Sequence, residues 1–399
     1  MSKINDLIKE LCPNGVPYKE IKELCHVTRG RVISKNELRE NEGEYPVYSS
    51  QTLNDGVFGK INTYDFNGEY VQWTTDGANA GSIFYRTGKF SVTNVCGLLK
   101  VKDEYKDILN TNFLNYILGT VSKNYVNYAT SNPKLMSNVV EKIKVAVPPL
   151  EVQKEIVRIL DKFGELEAEL EAELEARKSQ YEFWRGRLLE YEERKLKLDQ
   201  VSIKISDGSH NPPKGVDYTT NYPMISAKNI DEKYYDLNDV RYLSEEDYIK
   251  ENKRTNAEKG DVLLSIVGSV GKVITLIDDK PLLFQRSICV IKPNKDIINS
   301  DYLKHLLKSN KYQNILNSNS NGAAQKGIYL NQIKNLVIPV PPLNHQIKIV
   351  NILNKFDELV NDISTGLPAE IVLRRKQYEY YRNKLLSFEE LCYERFIRC

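Results

Sequence analysis

Asn211-Pro212-Pro213-Lys214 is the stretch of this chain that comes nearest to a reactive signature. An Asn-Pro-Pro-aromatic tetrad serves amino-methyl transfer, the ring stacking on a base flipped out of its duplex. Here Lys214 stands where the ring belongs, and no glycine-rich cofactor loop precedes it. A Pro-Pro turn is the better reading. Gly268-Ser269-Val270-Gly271-Lys272 could cradle phosphate, but that motif needs a glycine five positions before Gly271, where Ile266 stands. It reads as a turn between strands. His26, His210, His305 and His345 have no mutual ligand spacing. No carboxylate pair stands out as an acid–base dyad. The cysteines (Cys12, Cys25, Cys96, Cys289, Cys392, Cys399) include no Cys-x-x-Cys pair, which points to free thiols in a reducing compartment. No catalytic residue and no metal ligand is therefore expected.

What must be positioned becomes clearer from repetition. Val147-Pro148-Pro149-Leu150 recurs as Val340-Pro341-Pro342-Leu343, an offset of 193 (340 − 147). Gln153, Ile156, Leu160, Phe163 and Leu166 return as Gln346, Ile349, Leu353, Phe356 and Leu359. Gln180-Tyr181-Glu182 with Arg185 returns as Gln377-Tyr378-Glu379 with Arg382, now at an offset of 197 (377 − 180). A period this long means a duplicated domain, not a solenoid. The length of 399 residues suits two domains with connecting elements, and 41% hydrophobic with 28% charged residues describes a foldable chain. No apolar run reaches membrane-spanning length, and the charged first ten residues lack a signal-peptide core, so a cytoplasmic location is expected. Lys and Arg outnumber Asp and Glu by 18 to 16 in residues 1–150 and by 20 to 17 in 196–342. Residues 151–195 are acidic, 9 against 13. Two mildly basic lobes thus flank an acidic rod.

The rod is helical by its spacing. From Ile156 the apolar positions step through Leu160, Phe163, Leu170, Leu174, Tyr181, Trp184 and Leu188 in a heptad register that only Glu167 and Arg177 break. The second copy follows with Ile349, Leu353, Phe356 and Val360, slips by four residues, and resumes at Tyr378, Tyr381 and Leu385. Gly366 and Pro368 sit at the slip and predict a break or kink. Matching seams predict that the two helices pair. The lobes read as strands punctuated by Gly and Asn turns, each followed by a short helix, over 113–118 and 302–307. The expected fold class is α+β: two mixed α/β domains, each followed by a long helix, the helices forming an antiparallel coiled coil. The boundaries are 1–147 and 196–340 for the lobes, 148–195 and 341–399 for the helices.

This order resembles the specificity subunits of Type I restriction–modification systems. The resemblance rests on the duplicated Pro-Pro-Leu-x-x-Gln helix and on Thr365-Gly366-Leu367-Pro368-Ala369-Glu370-Ile371 with Arg375-Lys376-Gln377-Tyr378. It also rests on Asp207-Gly208-Ser209-His210, Gly260-Asp261-Val262-Leu263-Leu264-Ser265, Gln285-Arg286-Ser287, Tyr45-Pro46-Val47-Tyr48-Ser49-Ser50-Gln51 and Trp73-Thr74-Thr75-Asp76-Gly77. It spans essentially the whole chain. It implies that each lobe is a target-recognition domain reading one half of a bipartite double-stranded DNA sequence. It implies that the helices space the lobes and dock two methyltransferase subunits, with helicase–nuclease restriction subunits joining the complex. S-adenosylmethionine, ATP and Mg are then expected on those partners, with no cofactor on this chain. Base edges are read by Asn, Gln, Arg, Ser and Thr, and phosphates are held by Lys and Arg. The candidates are Ser49, Ser50, Gln51, Thr52, Thr74, Thr75, Asn79, Asn132 and Lys134 in the first lobe. In the second they are Ser209, His210, Asn211, Lys214, Ser269, Lys272, Gln285, Arg286, Gln325 and Lys326. The competing readings are a coiled-coil scaffold without DNA specificity and a self-contained methyltransferase or nuclease. The run Leu166-Glu167-Ala168-Glu169, Leu170-Glu171-Ala172-Glu173, Leu174-Glu175-Ala176-Arg177 is expected to act as a ruler, one unit being close to one helical turn.

Overall fold

Strands rich in Val, Ile, Leu and aromatic residues pair in each lobe into two larger sheets, beside a two-stranded antiparallel ladder that joins Tyr18–Glu20 to Lys144–Ala146 in the first lobe and Lys195–Lys197 to Val337–Pro339 in the second. The computed structural model describes residues 2–129, 131–231, 234–320, 327–362 and 364–391. In the first lobe the strands of the larger sheets are β1 (Cys25–Arg29), β2 (Tyr45–Tyr48), β3 (Val57–Ile61), β4 (Phe66–Asn67), β5 (Tyr70–Thr74), β6 (Ile83–Arg86), β7 (Lys89–Val92) and β8 (Cys96–Val101). They form an antiparallel sheet ordered β1-β8-β5-β6 and a second ordered β3-β2-β7-β4, in which β2 and β7 run parallel. β5 is buried along its whole length, as a central strand covered on both faces must be. Trp73 anchors it, fully buried, its indole N–H donating to the Leu135 carbonyl at 3.0 Å. Helix α1 (Thr111–Val121) packs on the sheet, with Asn110 as N-cap.

The long helix α2 (Leu150–Leu188) follows. The second lobe then repeats the scheme with β9 (Ser202–Asp207), β10 (Pro223–Ile225), β11 (Arg241–Tyr242), α3 (Glu245–Asn252), β12 (Val262–Ser265), β13 (Val273–Thr275), β14 (Leu283–Phe284) and β15 (Ile288–Pro293). The antiparallel sheet is ordered β9-β15-β12-β13 and the smaller one β11-β10-β14, again with one parallel pair, β10 and β14. Helix α4 (Ser300–Lys308), capped by Asn299, corresponds to α1. Helices α5 (Leu343–Asn361) and α6 (Leu367–Leu385) close the chain. The helix breaks between them at the expected slip, where the Gly366 N–H bonds the Asp362 carbonyl. Ile363 lies outside the described residues.

The contacts group the chain into two units, Met1–Glu169 with Ile371–Cys399, and Leu170–Glu370. The division falls inside the Leu-Glu-Ala-Glu run. In the first unit Val152, Ile156 and Leu160 of α2 enter the lobe's core, as do Leu385 and Leu386 at the end of α6. Phe163 meets Tyr378 and Tyr381 of α6 at ring separations of 6.2 and 5.7 Å, and Glu167 pairs with Arg375, so the two helices run antiparallel. In the second unit Ile349, Leu353 and Val360 of α5 are buried with the lobe, and Phe356 stacks on Tyr181 of α2 at 5.9 Å. The offsets explain this: Phe163 + 193 is Phe356 and Tyr181 + 197 is Tyr378, so each unit contains one copy of the same Phe–Tyr pair. Leu170, Leu174 and Leu188 are half-buried.

Trp184 departs from the expected seam. It is 42% exposed, its ring set edge-on against Phe183 at 5.4 Å, while Arg185 and Leu189 are buried instead. A straight α-helix drifts by about 20° per heptad, so a seven-residue rule carried from Ile156 points Trp184 outward.

The recurring glutamine now has a physical account. Gln153, fully buried, donates to the Ile108 and Pro148 carbonyls at 2.7 Å each and accepts from the Asn110 N–H at 2.8 Å. Gln346 donates to Ile297 and Pro341 at 3.0 and 2.7 Å and accepts from Asn299 at 2.8 Å. Each glutamine therefore locks the start of its long helix to the cap of its lobe helix.

Candidate nucleic-acid interface

In the first unit the C-terminal ends of β1, β2, β5 and β7 carry four connected segments. Arg29, at the end of β1, donates to Thr75 Oγ1 at 2.9 Å and to the Asn94 carbonyl at 2.7 Å, and lies 3.6 Å from Asp76. Lys134 reaches Asp76 at 4.0 Å, and its backbone pairs with Asn127. Asn79 Nδ2 donates to the Ser50 carbonyl at 3.0 Å, and Thr93 Oγ1 bonds Ser49 Oγ at 3.1 Å. The structure thus brings Ser49, Ser50, Thr75, Asn79 and Lys134 together. Gln51, Thr52 and Asn132 are exposed.

Thr74 and Thr75 are corrections. Both side chains are fully buried, the first in β5 and the second under Arg29 and Asp76, so neither presents a hydroxyl to a ligand. They shape the loop and cannot read from it.

The loop after β2 is held by a residue the sequence did not single out. Arg86, only 2% exposed, bonds the Asp55 carboxylate at 2.7 Å, the Asp55 carbonyl at 2.8 Å and Gln72 Oε1 at 2.8 Å. Its guanidinium lies 3.7 Å from the centre of the Tyr48 ring. Asn54 and Asp55 are both left-handed, with φ of 51°, a conformation that costs energy in non-glycine residues and persists where the surroundings impose it.

In the second unit the ends of β9, β10, β12 and β14 converge in the same way. Asp207 is nearly buried, bonds His210 Nε2 at 2.6 Å and pairs with Arg254, whose Nε donates to the Asp207 carbonyl at 2.9 Å. Burial alone would raise the Asp207 pKa; the hydrogen bonds from Arg254 and His210 outweigh it and hold the carboxyl below its usual range. The Arg286 N–H donates to the Ser209 carbonyl at 3.0 Å, and the Gln285 N–H to Ile225 at 2.9 Å. Ser209, His210, Gln285 and Arg286 therefore form one cluster. Asn211 and Lys214 are exposed on the Pro-Pro turn beyond it, pinned by Arg241 donating to the Pro213 carbonyl at 2.7 Å. Ser269 is exposed in the β12–β13 hairpin loop. Gln325 and Lys326 lie outside the described residues.

Two residues change role here. Ser209 is buried, its hydroxyl donating to Glu251 at 2.6 Å, and so offers no side chain at the surface. Lys272 turns inward to the Ile230 carbonyl at 2.6 Å and braces the loop after β10. Arg29, Arg86, Arg254 and Asn94 are the residues that sequence reasoning missed. For the three arginines the signal is long-range, each lying far along the chain from the loop it serves, whereas Asn94 sits in the turn itself.

Among the described residues no group of three His, Cys, Asp or Glu is placed to hold a metal. Cys12, Cys25, Cys96 and Cys289 are free and buried, and burial pushes the Cys96 thiol up to about 11. No described helix is long and apolar enough to cross a membrane.

The Type I restriction modification DNA specificity domain model matches residues 13–176 and again 213–373. A Mycoplasma pneumoniae protein described as a type I specificity subunit is 35% identical over 382 residues, covering 94% of this chain and 98% of that protein. A second protein so described from the same organism is 34% identical over 350 residues, covering 83% and 97%. Among solved structures, the Type I system S subunit from M. genitalium superposes with a TM-score of 0.56 at 14% identity, over 93% of this chain and 96% of that one. A chain from a study of Type I assembly and conformational transition gives 0.61 at 16%, over 94% and 98%. These structures share the fold. With its duplicated recognition scaffold and two matched domains, the chain belongs to the Type I restriction–modification DNA specificity family.

Proposed function

We propose that this chain is the non-catalytic reader of a Type I complex, each lobe recognising one half of a bipartite double-stranded DNA target. The two lobes keep one backbone frame at the strand ends and place different side chains on it: Arg29 against Asp207, Asp76 against Val267, Asn94 against Arg286. A shared frame with divergent substituents suits two readers of two different sequences, and it is the observation that carries this reading. The exposed candidates are Gln51, Thr52, Asn132, Lys134, His210, Asn211, Lys214, Ser269 and Arg286, which suit base edges and phosphates. The helices dock two methyltransferase subunits, to which restriction subunits add in the cytoplasm. S-adenosylmethionine, ATP and Mg belong to those partners. The test is methyl transfer to DNA by the purified chain alone and by the chain with its modification subunits. Methylation at a bipartite motif only in the second case is expected; transfer by the partner-free chain overturns the reading.

A further inference from the structure

Two β-turns occupy corresponding places in the two lobes. In the first, the Cys96 N–H bonds the Thr93 carbonyl at 3.0 Å, which puts Asn94 at the second position of the turn. In the second, the Ile288 N–H bonds Gln285 at 2.9 Å, which puts Arg286 there. Three further hydrogen bonds around each turn correspond. Thr75 N–H to Val95 at 2.9 Å matches Ile266 to Ser287 at 2.8 Å. Gly30 to Cys96 at 3.2 Å matches Gly208 to Ile288 at 3.0 Å. Thr93 to Tyr48 at 2.9 Å matches Gln285 to Ile225 at 2.9 Å. Beneath each turn a glycine is obligatory: a Cβ on Gly30 or Gly208 would stand 2.1 Å from the carbonyl oxygen of Val92 or Phe284. The frame is therefore rigid and shared, and the side chain at its second position is free to vary.

Both side chains are exposed, and neither has a hydrogen-bond or ion-pair partner among the described residues. Arg29 fixes the Asn94 backbone through its carbonyl and leaves the carboxamide outward. A carboxamide presents one donor and one acceptor side by side, the complement of adenine N6 and N7 in the major groove. A guanidinium presents two parallel donors, the complement of guanine O6 and N7. Resting on the lobe-by-lobe reading above, we infer that Asn94 reads an adenine in one half-site and Arg286 a guanine in the other. The duplicated turn is the base-reading position of this scaffold.

The experiment is methylome sequencing of cells in which the full chain acts with its modification subunits. Asn94→Arg is expected to change one A·T pair of one half-site to G·C. Arg286→Asn is expected to change one G·C pair of the other half-site to A·T. Asn94→Ala and Arg286→Ala should relax discrimination at the same pairs by about tenfold to a hundredfold, with melting temperatures unchanged because both side chains are exposed. Unaltered motifs in all four variants overturn the inference. So does uniform weakening across all sequences with a salt slope lower by about one, the mark of a phosphate contact. If exchange of residues 1–147 still replaces a half-site while these variants do not, the lobe-by-lobe reading stands and only the assignment of Asn94 and Arg286 falls.

Discussion

Gln153 and Gln346 do the same work in both units, and removing either takes the partner from a part-buried cap N–H and from two carbonyls, of which the proline carbonyl is buried. Each unsatisfied buried group costs about 1–3 kcal/mol, so Gln346→Ala should destabilise its unit by about 2–4 kcal/mol in urea unfolding. Gln346→Glu should not restore it, because a carboxylate cannot donate to the Ile297 and Pro341 carbonyls. His305 gives a pH dependence. Burial, offset in part by the hydrogen bond to Asn354 Oδ1 at 2.7 Å, lowers its pKa to about 4. The unfolded chain, with histidine near 6.5, then binds more protons between those values, so stability falls as pH drops from about 6.5 to about 4. That contribution amounts to about 3 kcal/mol, and unfolding curves of His305→Gln against the parent at pH 7.5 and 4.5 should converge toward the acid side. At this scale the sequence was partly legible. The exposed polar type of Arg286 and Lys214 could be read from composition, but whether a threonine faces in or out could not. Thr74 ends a strand buried on both faces and Thr75 follows it, where the alternation that betrays an inward side chain is lost.

Among the elements, the loop after β2 depends on a cation supplied by β6. Arg86→Ala should free residues 49–56, seen as faster amide exchange there with β5 and β8 still protected. Unchanged exchange in that loop would mean its left-handed pair, Asn54 and Asp55, holds itself. The helices were legible as helices because a seam repeats over many turns. The break at Gly366 and Pro368 was legible from their backbone chemistry. That the two helices pair was legible from their matching seams, whereas the outward turn of Trp184 came from helical drift that a heptad count ignores. Trp184→Ala should therefore change the stability of the isolated chain by less than about 0.5 kcal/mol.

For the whole molecule, the account requires two readers and a fixed spacing between what they read. The Leu-Glu-Ala-Glu run lies in α2 between Phe163, which meets α6, and Tyr181, which meets α5. One added or deleted unit translates the helix beyond it by about 6 Å and rotates it by about 40°. Base pairs are about 3.4 Å and a tenth of a turn apart, so the unread spacer should change by one or two base pairs with both half-sites intact. Variants with two and four units, typed by their methylated motifs, test this; an unchanged spacer in both excludes the ruler role. The duplication was legible because Pro-Pro-Leu-x-x-Gln returns almost unaltered, while the bases recognised were not, since base readout depends on the geometry of side chains that a sequence does not give. The central claim is that each lobe reads alone. It is tested most directly by replacing residues 1–147 with the first lobe of another family member, keeping both Pro-Pro-Leu helices, and sequencing the methylome. The account predicts one half-site replaced and the other half-site and spacer retained; a hybrid that changes both half-sites, or neither, contradicts it.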